Sequence, residues 1–448
     1  MNAKTRPLFA IISTILVMIV APSAVFGQES LSLTPHVEVG SETEVIVQMD
    51  VKGSLQILEA GKPVNIPLAV NADLRYREMR QPTNGSVLAA LRKYSKTEAA
   101  INVDGSAIQP QLRSARQRIR VESGTTTDLY SVDGALTREE LDLVDIQGNT
   151  LLLDQLLTDK VTTVGDSWTH HDQLLASMLS IDAVSVNEVE SKLVSIDTDG
   201  AIVELSGRVE GAIHGVSTEI EVGGKYLFDT ANKRVTKCQL TLKEKRSIGH
   251  VGPGITADST INILIVPQTD TQMRNLISLG SVASAHRHMD LECQTDAGFS
   301  ISYDRRWHVM DQADSKISLR MVDRGDLIAQ AQVSLMQSSA GAITSAGFRN
   351  QIRTALGDKA KNVTSQGALQ TKSGLNVAGI TANGVVSGLP IEWRYYLIGD
   401  KVGQQVAIVF TLEPELAPKL GTADRKMVES FRWTTQGAAA QGPVGAIR

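Results

Sequence analysis

After residue 28 the chain is dominated by apolar residues that alternate with polar ones. Val45, Val47, Met49 and Val51 fall on one side of an extended segment and Glu44, Gln48 and Asp50 on the other, the two-residue period of a half-buried strand. The same period recurs at residues 64–76 and 88–103. It is clearest where Val203, Leu205, Val209 and Ile213 line one strand, His214 and Gly215 form a two-residue turn, and Val216, Thr218, Ile220, Val222, Tyr226 and Phe228 line the returning strand. Residues 184–196, 234–246 and 261–265 supply further strands, so residues 37–267 read as a large, curved antiparallel β domain in meander order. Gly207, Gly211, Gly223 and Gly224 lie inside these strands, where glycine permits a strong bend.

The period turns helical twice within this region. Thr137 followed by Glu140 three residues later forms a capping box ahead of an apolar run. Leu151, Leu152 and Leu153 with Leu156 and Leu157 have helical spacing. These segments are expected to lie across the sheet and cover one mouth of it. Residues 271–285 are polar and small, predicting a short helix that runs into a linker over 268–290.

Alternation resumes at Phe299, Ile301 and Tyr303, followed by a turn at Asp304-Arg305-Arg306 and by Trp307. Ile317, Leu319 and Met321, then Leu327, Ala329, Ala331, Val333 and Leu335, predict two more strands. Phe348, Ile352 and Leu356 recur at four-residue spacing on a helix over 344–356. Strands are expected at 375–386, 391–398 and 405–412, with Trp393, Tyr395 and Leu397 on one face and Val406, Ile408 and Phe410 opposite them. Pro414 opens a last helix at its first position, with Leu416, Leu420, Met427 and Phe431 on the buried side. The expected fold class is therefore mixed: a large curved antiparallel β domain with covering helices, followed by an α/β/α sandwich over 291–434. Residues 435–448, rich in Gly, Ala and Pro, predict a disordered tail.

The N-terminus changes the picture of where the protein works. Lys4 and Arg6 precede an apolar run over residues 8–21, Pro22 breaks it, and Val25 and Gly27 stand at the −3 and −1 positions of a cleavage site. Residues 1–27 read as a signal peptide and the protein as exported, to the periplasm or beyond. An uncleaved anchor is the alternative, because the apolar run approaches the ~20 residues of a membrane span. No integral membrane domain is expected in the mature chain. A net charge of −5 with interspersed signs gives no reason to expect nucleic acid as a partner. Export makes Cys238 and Cys293 a disulfide candidate, worth roughly 4 kcal/mol by loop-closure entropy. The alternative is that Cys238, on the strand face of Leu240 and Leu242, is a buried free thiol.

Candidate chemistry is sparse. Gly165-Asp166-Ser167 has the form of an esterase block, but no Asp-x-x-His pair follows to activate Ser167, and Thr169 stands where a nucleophile elbow needs glycine. The simpler reading is a turn anchored by Trp168. His170, His171 and Asp172 are adjacent and point apart. His286 and His288, with Asp290 and Glu292, would share one side of an extended chain and are the weak metal candidates. Arg116, Arg118 and Arg120 make a basic row that reads as a solvated sheet face. Asn84 and Asn362 match the N-glycosylation pattern, and Val251-Gly252-Pro253-Gly254 fits no phosphate-loop pattern. No cofactor is expected, and the chain reads as a non-enzyme.

Two resemblances add to this. Gly298-Phe299-Ser300-Ile301, Trp307, the helix around Phe348 and Glu429-Ser430-Phe431 resemble the PsbP/Mog1-like family over about a third of the chain, with Asp304 where that family would usually have proline. This resemblance implies fold and a binding or scaffolding role toward other proteins, and carries over no catalytic residue. The β domain, by its architecture, resembles the lipoprotein-carrier (LolA/LppX-like) half-barrels of the bacterial envelope, which implies an acyl ligand between sheet and helices. The order Leu-Thr-Arg-Glu-Glu-Leu, Val-Gly-Asp-Ser-Trp, Val-Glu-Gly looks like exported bacterial proteins without assigned activity. Together they imply an exported non-enzymatic binding or scaffolding protein whose partner is another envelope protein, with a hydrophobic-ligand carrier as the alternative.

Overall fold

The alternating segments pair into sheets nearly as their periods require. A computed structural model describes residues 30–83, 88–124, 126–270, 272–273, 290–336, 345–367, 369–400 and 403–434. The expected signal peptide, tail, most of the linker and Asn84 lie outside the described residues, as do His286 and His288.

Strand β1 (Ser30–Ser32) pairs with a later short strand. Strands β2 (Glu42–Glu59), β3 (Lys62–Gln81) and β4 (Leu88–Val103) are followed by β5 (Ser106–Ile108), β6 (Arg118–Ser123) and β7 (Thr127–Ser131). Helix α1 (Arg138–Val144), β8 (Val161–Thr163), β9 (Ser167–Thr169) and α2 (Asp172–Leu179) come next. Strands β10 (Ala183–Asn187), β11 (Glu190–Asp197), β12 (Gly200–Ile213), β13 (Val216–Asp229), β14 (Arg234–Arg246) and β15 (Gly254–Gln268) complete this part. Thirteen of these described strands form one antiparallel sheet, along the open path β7-β6-β4-β3-β2-β15-β14-β13-β12-β11-β9, with β5 on β4 and β10 on β12. β15 closes the long-range step by pairing with β2 over its whole length, from Gly254 opposite Gln56 to Gln268 opposite Glu42.

The expected single strand over 184–196 is two, β10 and β11, both paired with β12. Gly207 explains the break: its φ is +150°, and a Cβ there would meet Glu188 O at 2.1 Å. The expected helix at Leu151–Leu157 is a single tight turn over Leu153–Leu156. The capping box of α1 forms, with Thr137 accepting from the Glu140 N–H while the Glu140 carboxylate accepts from the Thr137 N–H. These segments and α2 fill one face of the sheet. Leu141, Val144, Leu151, Leu153, Leu156 and Leu175 pack on Leu74, Tyr76, Leu205, Tyr226 and Leu240 in one continuous cluster. Each such side chain taken from water stabilises by roughly 1.5–3 kcal/mol.

The remaining strands are β16 (Leu291–Gln294), β17 (Phe299–Tyr303), β18 (Trp307–Ala313), β19 (Lys316–Asp323) and β20 (Asp326–Met336). After α3 (Ser345–Leu356) come β21 (Ala360–Ser365), β22 (Leu369–Gln370), β23 (Asn376–Val386), β24 (Leu389–Gly399) and β25 (Gln405–Leu412). Helices α4 (Ala417–Leu420) and α5 (Ala423–Ser430) and strand β26 (Arg432–Trp433) end the described chain. β16, β17 and β26 make a three-stranded sheet, and β18-β19-β20-β25-β24-β23-β21, with β22 on β23, an eight-stranded one. The architecture is thus mixed α/β, with large antiparallel sheets and few short helices.

The two faces of the eight-stranded sheet separate as the pattern of β24 requires. Trp393 and Leu397 pack with Phe348 of α3, while Tyr396 and Ile398 lie on the other face with Val406, Ile408 and Phe410. The last helix is three pieces, because a tight turn over Pro414–Leu416 precedes α4 and Gly421 separates α4 from α5. Phe299 stacks on Phe431 at 5.7 Å, and Trp433 meets Phe431 edge-on at 5.2 Å. Trp307 packs instead on Phe410, at 5.7 Å.

The two sheet systems share a core and a polar seam. Arg113 donates to Glu140 of α1 and, through Nη1 at 2.6 Å, to Glu292 of β16, which also accepts from Arg432. Arg138 donates to the carbonyls of Arg305 and Trp307. His214 meets His308 edge-on, with ring centroids 4.6 Å apart.

Candidate functional site

The site with most unusual chemistry is a charged network buried on the core face of β3 and β4. Glu78 and Arg80 share parity with Leu74 and Tyr76, and Arg92 with Ala90 and Tyr94, so strand periodicity carries charges inward. Register then sets Glu78 opposite Arg92 and Arg80 opposite Ala90. Arg92 Nε donates to Glu78 Oε2 at 2.8 Å, and Nη2 donates to Asn149 Oδ1 at 2.5 Å. The Thr150 hydroxyl donates to Glu78 Oε2 at 2.7 Å. The Arg92 guanidinium lies over the Tyr76 ring, 4.9 Å from its centroid. Burial disfavours the Glu78 charge, yet Arg92, Arg80 and the hydrogen bonds hold its carboxyl below the usual range.

Toward the surface the network continues through Arg80, Asp154 and Arg234. Asp154 accepts from the Val235 N–H at 2.8 Å, and its other oxygen stands 3.5 Å from Arg80 and 3.8 Å from Arg234. Burial pushes the Asp154 carboxyl up and the Arg80 guanidinium down, each against the pull of its ionic neighbours. Arg80 and Asp154 line a surface cleft of about 390 Å³. Its other walls are the arm carrying Pro35, Val37 and Val39, the ends of β3 and β4, and the turn at Leu151. The arm is pinned at both ends: His36 N donates to Lys233 O, and Gly40 N donates to Arg80 O. A second cleft, about 650 Å³, lies where the loop carrying Pro110 and Leu112 crosses Met49, Ala72 and Ala99.

The residues singled out in the sequence are placed elsewhere. Ser167 is exposed on β9, with Asp166 turned back to accept from Thr163. Trp168 Nε1 donates to Leu156 O at 2.8 Å, so the block is an anchored turn. His170 is committed to Ser191, at 2.8 Å, and the Tyr226 hydroxyl stands 2.9 Å from the same oxygen. Burial, then His171, pushes the His170 imidazole down to about 4. Ser191 has no exposed surface, so this Ser–His pair is a strut between β11, β13 and the loop before α2. Asp172 accepts from Asn187. Glu292 is held by Arg113 and Arg432 in the seam, and no group of three or more metal-ligating side chains stands together among the described residues.

Of the basic row, Arg118 pairs with Asp133 and Arg120 with Glu122, while Arg116 donates to Ala135 O from a short turn before the strand. Of the two readings of Cys238 and Cys293, a disulfide or buried thiols, the structure holds the second: both are free and buried. Cys238 faces the large sheet's core between Tyr226 and Ile263, whereas Cys293 lies in the three-stranded sheet and donates to Gln312. Between the sheet and its covering segments, where the carrier resemblance implies an acyl ligand, leucines of α1, α2 and the Leu153 turn pack into the core.

Sequence reasoning missed Glu78, Arg80, Arg92 and Asp154. A signal for three of them was present: charges at the core parity of strands already identified.

The sequence matches no protein-family model and no curated protein. In structure the chain is similar to the Ran-binding protein Mog1p of Saccharomyces cerevisiae, at 8% identity over 32% of this chain and 95% of that one, with a TM-score of 0.27. Cyanobacterial PsbP of Synechocystis sp. PCC 6803 is similar at 13% identity over 35% of this chain and 99% of that one, with a TM-score of 0.25. A Bacteroides thetaiotaomicron protein is similar at 11% identity over 32% of this chain, with a TM-score of 0.24, and only 48% of its own length is spanned. Identities and TM-scores this low assign no family. No described helix is long and apolar enough to cross a membrane.

Proposed function

We propose that this is an exported, non-enzymatic binding or scaffolding protein of the bacterial cell envelope. The cleft at Arg80 and Asp154 would be its binding site and the eight-stranded sheet its surface toward a partner. One observation carries the reading: a preformed cleft whose floor is ionic and whose walls are mostly apolar, the usual composition of a ligand site. The groups that sequence singled out for chemistry are engaged structurally: His170 is buried in the core on Ser191, and Asp166 beside Ser167 accepts from Thr163. Export rests on the leader pattern of residues 1–27. The seam of Arg113, Glu140, Glu292 and Arg432, together with Arg138, would hold binding site and partner surface in fixed relation.

Purification from the native host, with N-terminal sequencing and native mass spectrometry, tests this. The expected result is a chain beginning at Gln28 that carries a bound mass, which is lost when the cleft is altered. A chain found in the cytoplasm with its leader intact, or a bare mass in both wild type and cleft variant, would sink the proposal.

A further inference from the structure

Cations outnumber carboxylates in the network behind the cleft, and its hydrogen bonds are incomplete, with Glu78 Oε1 among the atoms left without a partner. Three guanidinium groups, Arg80, Arg92 and Arg234, share the network with two carboxylates, Glu78 and Asp154. Arg92 is spent on Glu78 and Asn149 in the interior. Asp154 stands between Arg80 and Arg234, 3.5 and 3.8 Å from them, while Arg80 Nη1 also donates to Leu151 O at 3.2 Å. Buried Arg234 Nε and Nη2 have no hydrogen-bond acceptor, and neither does Gln81 Nε2 on the cleft wall. Unpaired buried donors are costly, and a buried cation short of an anion more so. An acceptor with negative charge placed in the cleft beside Arg80 would offset the charge imbalance there and leave Asp154 to Arg234.

The rest of the cleft limits what can carry that charge. Pro35, Val37, Val39, Pro82, Leu88 and Leu151 surround the ionic floor. Val39 is 65% exposed, an aliphatic side chain left to water at the mouth. A bare inorganic anion would satisfy Arg80 and leave this apolar wall wet. A purely apolar ligand would cover the wall and bury the charge deeper without an acceptor.

We infer that the cleft binds a small amphiphile with one anionic head, the head seated on Arg80 and the apolar body along Val37 and Val39. The inference deepens the proposed binding role and rests on it. Octanoate, octanol, octylamine and acetate, each titrated calorimetrically into the full chain at low salt, separate the contributions of head and body. Octanoate should bind about ten-fold or more tighter than octanol, the worth of one charge-assisted contact, with octylamine and acetate weaker still. Arg80→Gln should abolish the preference for octanoate over octanol. Because Arg80 also supports the Leu151 turn, Val39→Glu is the second variant: it sets a like charge at an exposed position and should weaken octanoate several-fold with an unchanged melting curve. Vesicles of phosphatidylcholine with phosphatidylglycerol test a membrane headgroup as the source of the anion, through sedimentation that Val39→Glu abolishes.

Equal affinity for octanol and octanoate, octanoate binding untouched by Val39→Glu, or no binding by any probe would overturn the inference. If those probes fail while the mass bound in the native host still responds to Val39→Glu, the anionic amphiphile is wrong and the binding role stands. If that mass is absent too, both fail.

Discussion

Gly215, at the tip of the β12–β13 hairpin, lies against Gly325, at the tip of β19–β20: a Cβ on Gly215 would sit 1.9 Å from the Gly325 Cα. Both turns are left-handed throughout, with φ of +49° and +74° at His214 and Gly215 and +50° and +90° at Arg324 and Gly325. Each glycine therefore answers two demands, the turn's own conformation and the approach of another backbone. Gly215→Ala should destabilise by at least ~1–2 kcal/mol from the left-handed conformation alone. The overlap with Gly325 should add to that and act on the junction. The check compares thermal melting with Gly61→Ala, at another positive-φ turn with open space around it. Equal losses in the two variants would mean that the junction contact contributes nothing.

The network behind the cleft gives a second expectation. Removing Arg92 leaves Glu78 buried without its main partner, a change that typically costs about 3–5 kcal/mol. Arg92→Met should therefore lower the urea midpoint strongly, whereas Glu78→Gln with Arg92→Met together should cost clearly less than the sum of the single changes. Additivity in that cycle would show that the pair is not coupled.

How far these features could be read in advance depends on the range of the interactions behind them. The capping box at Thr137 and Glu140, the hairpin at His214-Gly215 and the apolar faces of β13 and β25 are local, so short-range spacing announces them. Phe299, Phe431 and Trp433, large aromatics at the two ends of one segment, meet through the pairing of β17 with β26. The 3.6-residue period runs through Gly421 and so predicts one last helix, where the chain instead uses Gly421 to turn. The cleft was not legible. Arg80 and Asp154 are brought together by the fold, and Arg234 arrives from a third element. What the pattern does hold is Glu78, Arg80 and Arg92 at core parity, an arrangement that strand charges rarely adopt unless they are paired inside.

Cysteine chemistry separates the two readings of Cys238 and Cys293 directly. Burial pushes both thiols up to about 12, so neither should be a thiolate at neutral pH. An aromatic disulfide reagent should find no reactive thiol in the native protein and both in urea, even in protein recovered from an oxidising compartment. Recovery of no thiol after unfolding without reductant would show that the chain is bridged.

The histidines of the seam make stability depend on pH. Burial is the main cause that pushes His308 down to about 3, with the Arg138 guanidinium and His214 adding to it. His214 is also lowered by burial and by Arg138 and Arg246, against the pull of Asp182. Arg320 stands opposite His308 on the neighbouring strand. Between the unfolded value near 6.5 and the folded value, the unfolded chain binds a proton at His308 that the native chain does not. The stabilisation from a neutral His308 is therefore complete above pH 6.5 and lost as pH falls toward 3, at about 1.4 kcal/mol per unit. Buried carboxylates titrate in part of the same window, so the slope is read as a difference between wild type and His308→Asn. Urea unfolding at a series of pH values should give a wild-type slope steeper than the variant's by about that amount, with the two parallel above pH 7. Identical slopes below pH 6.5 would mean that His308 gains its proton without opening the seam.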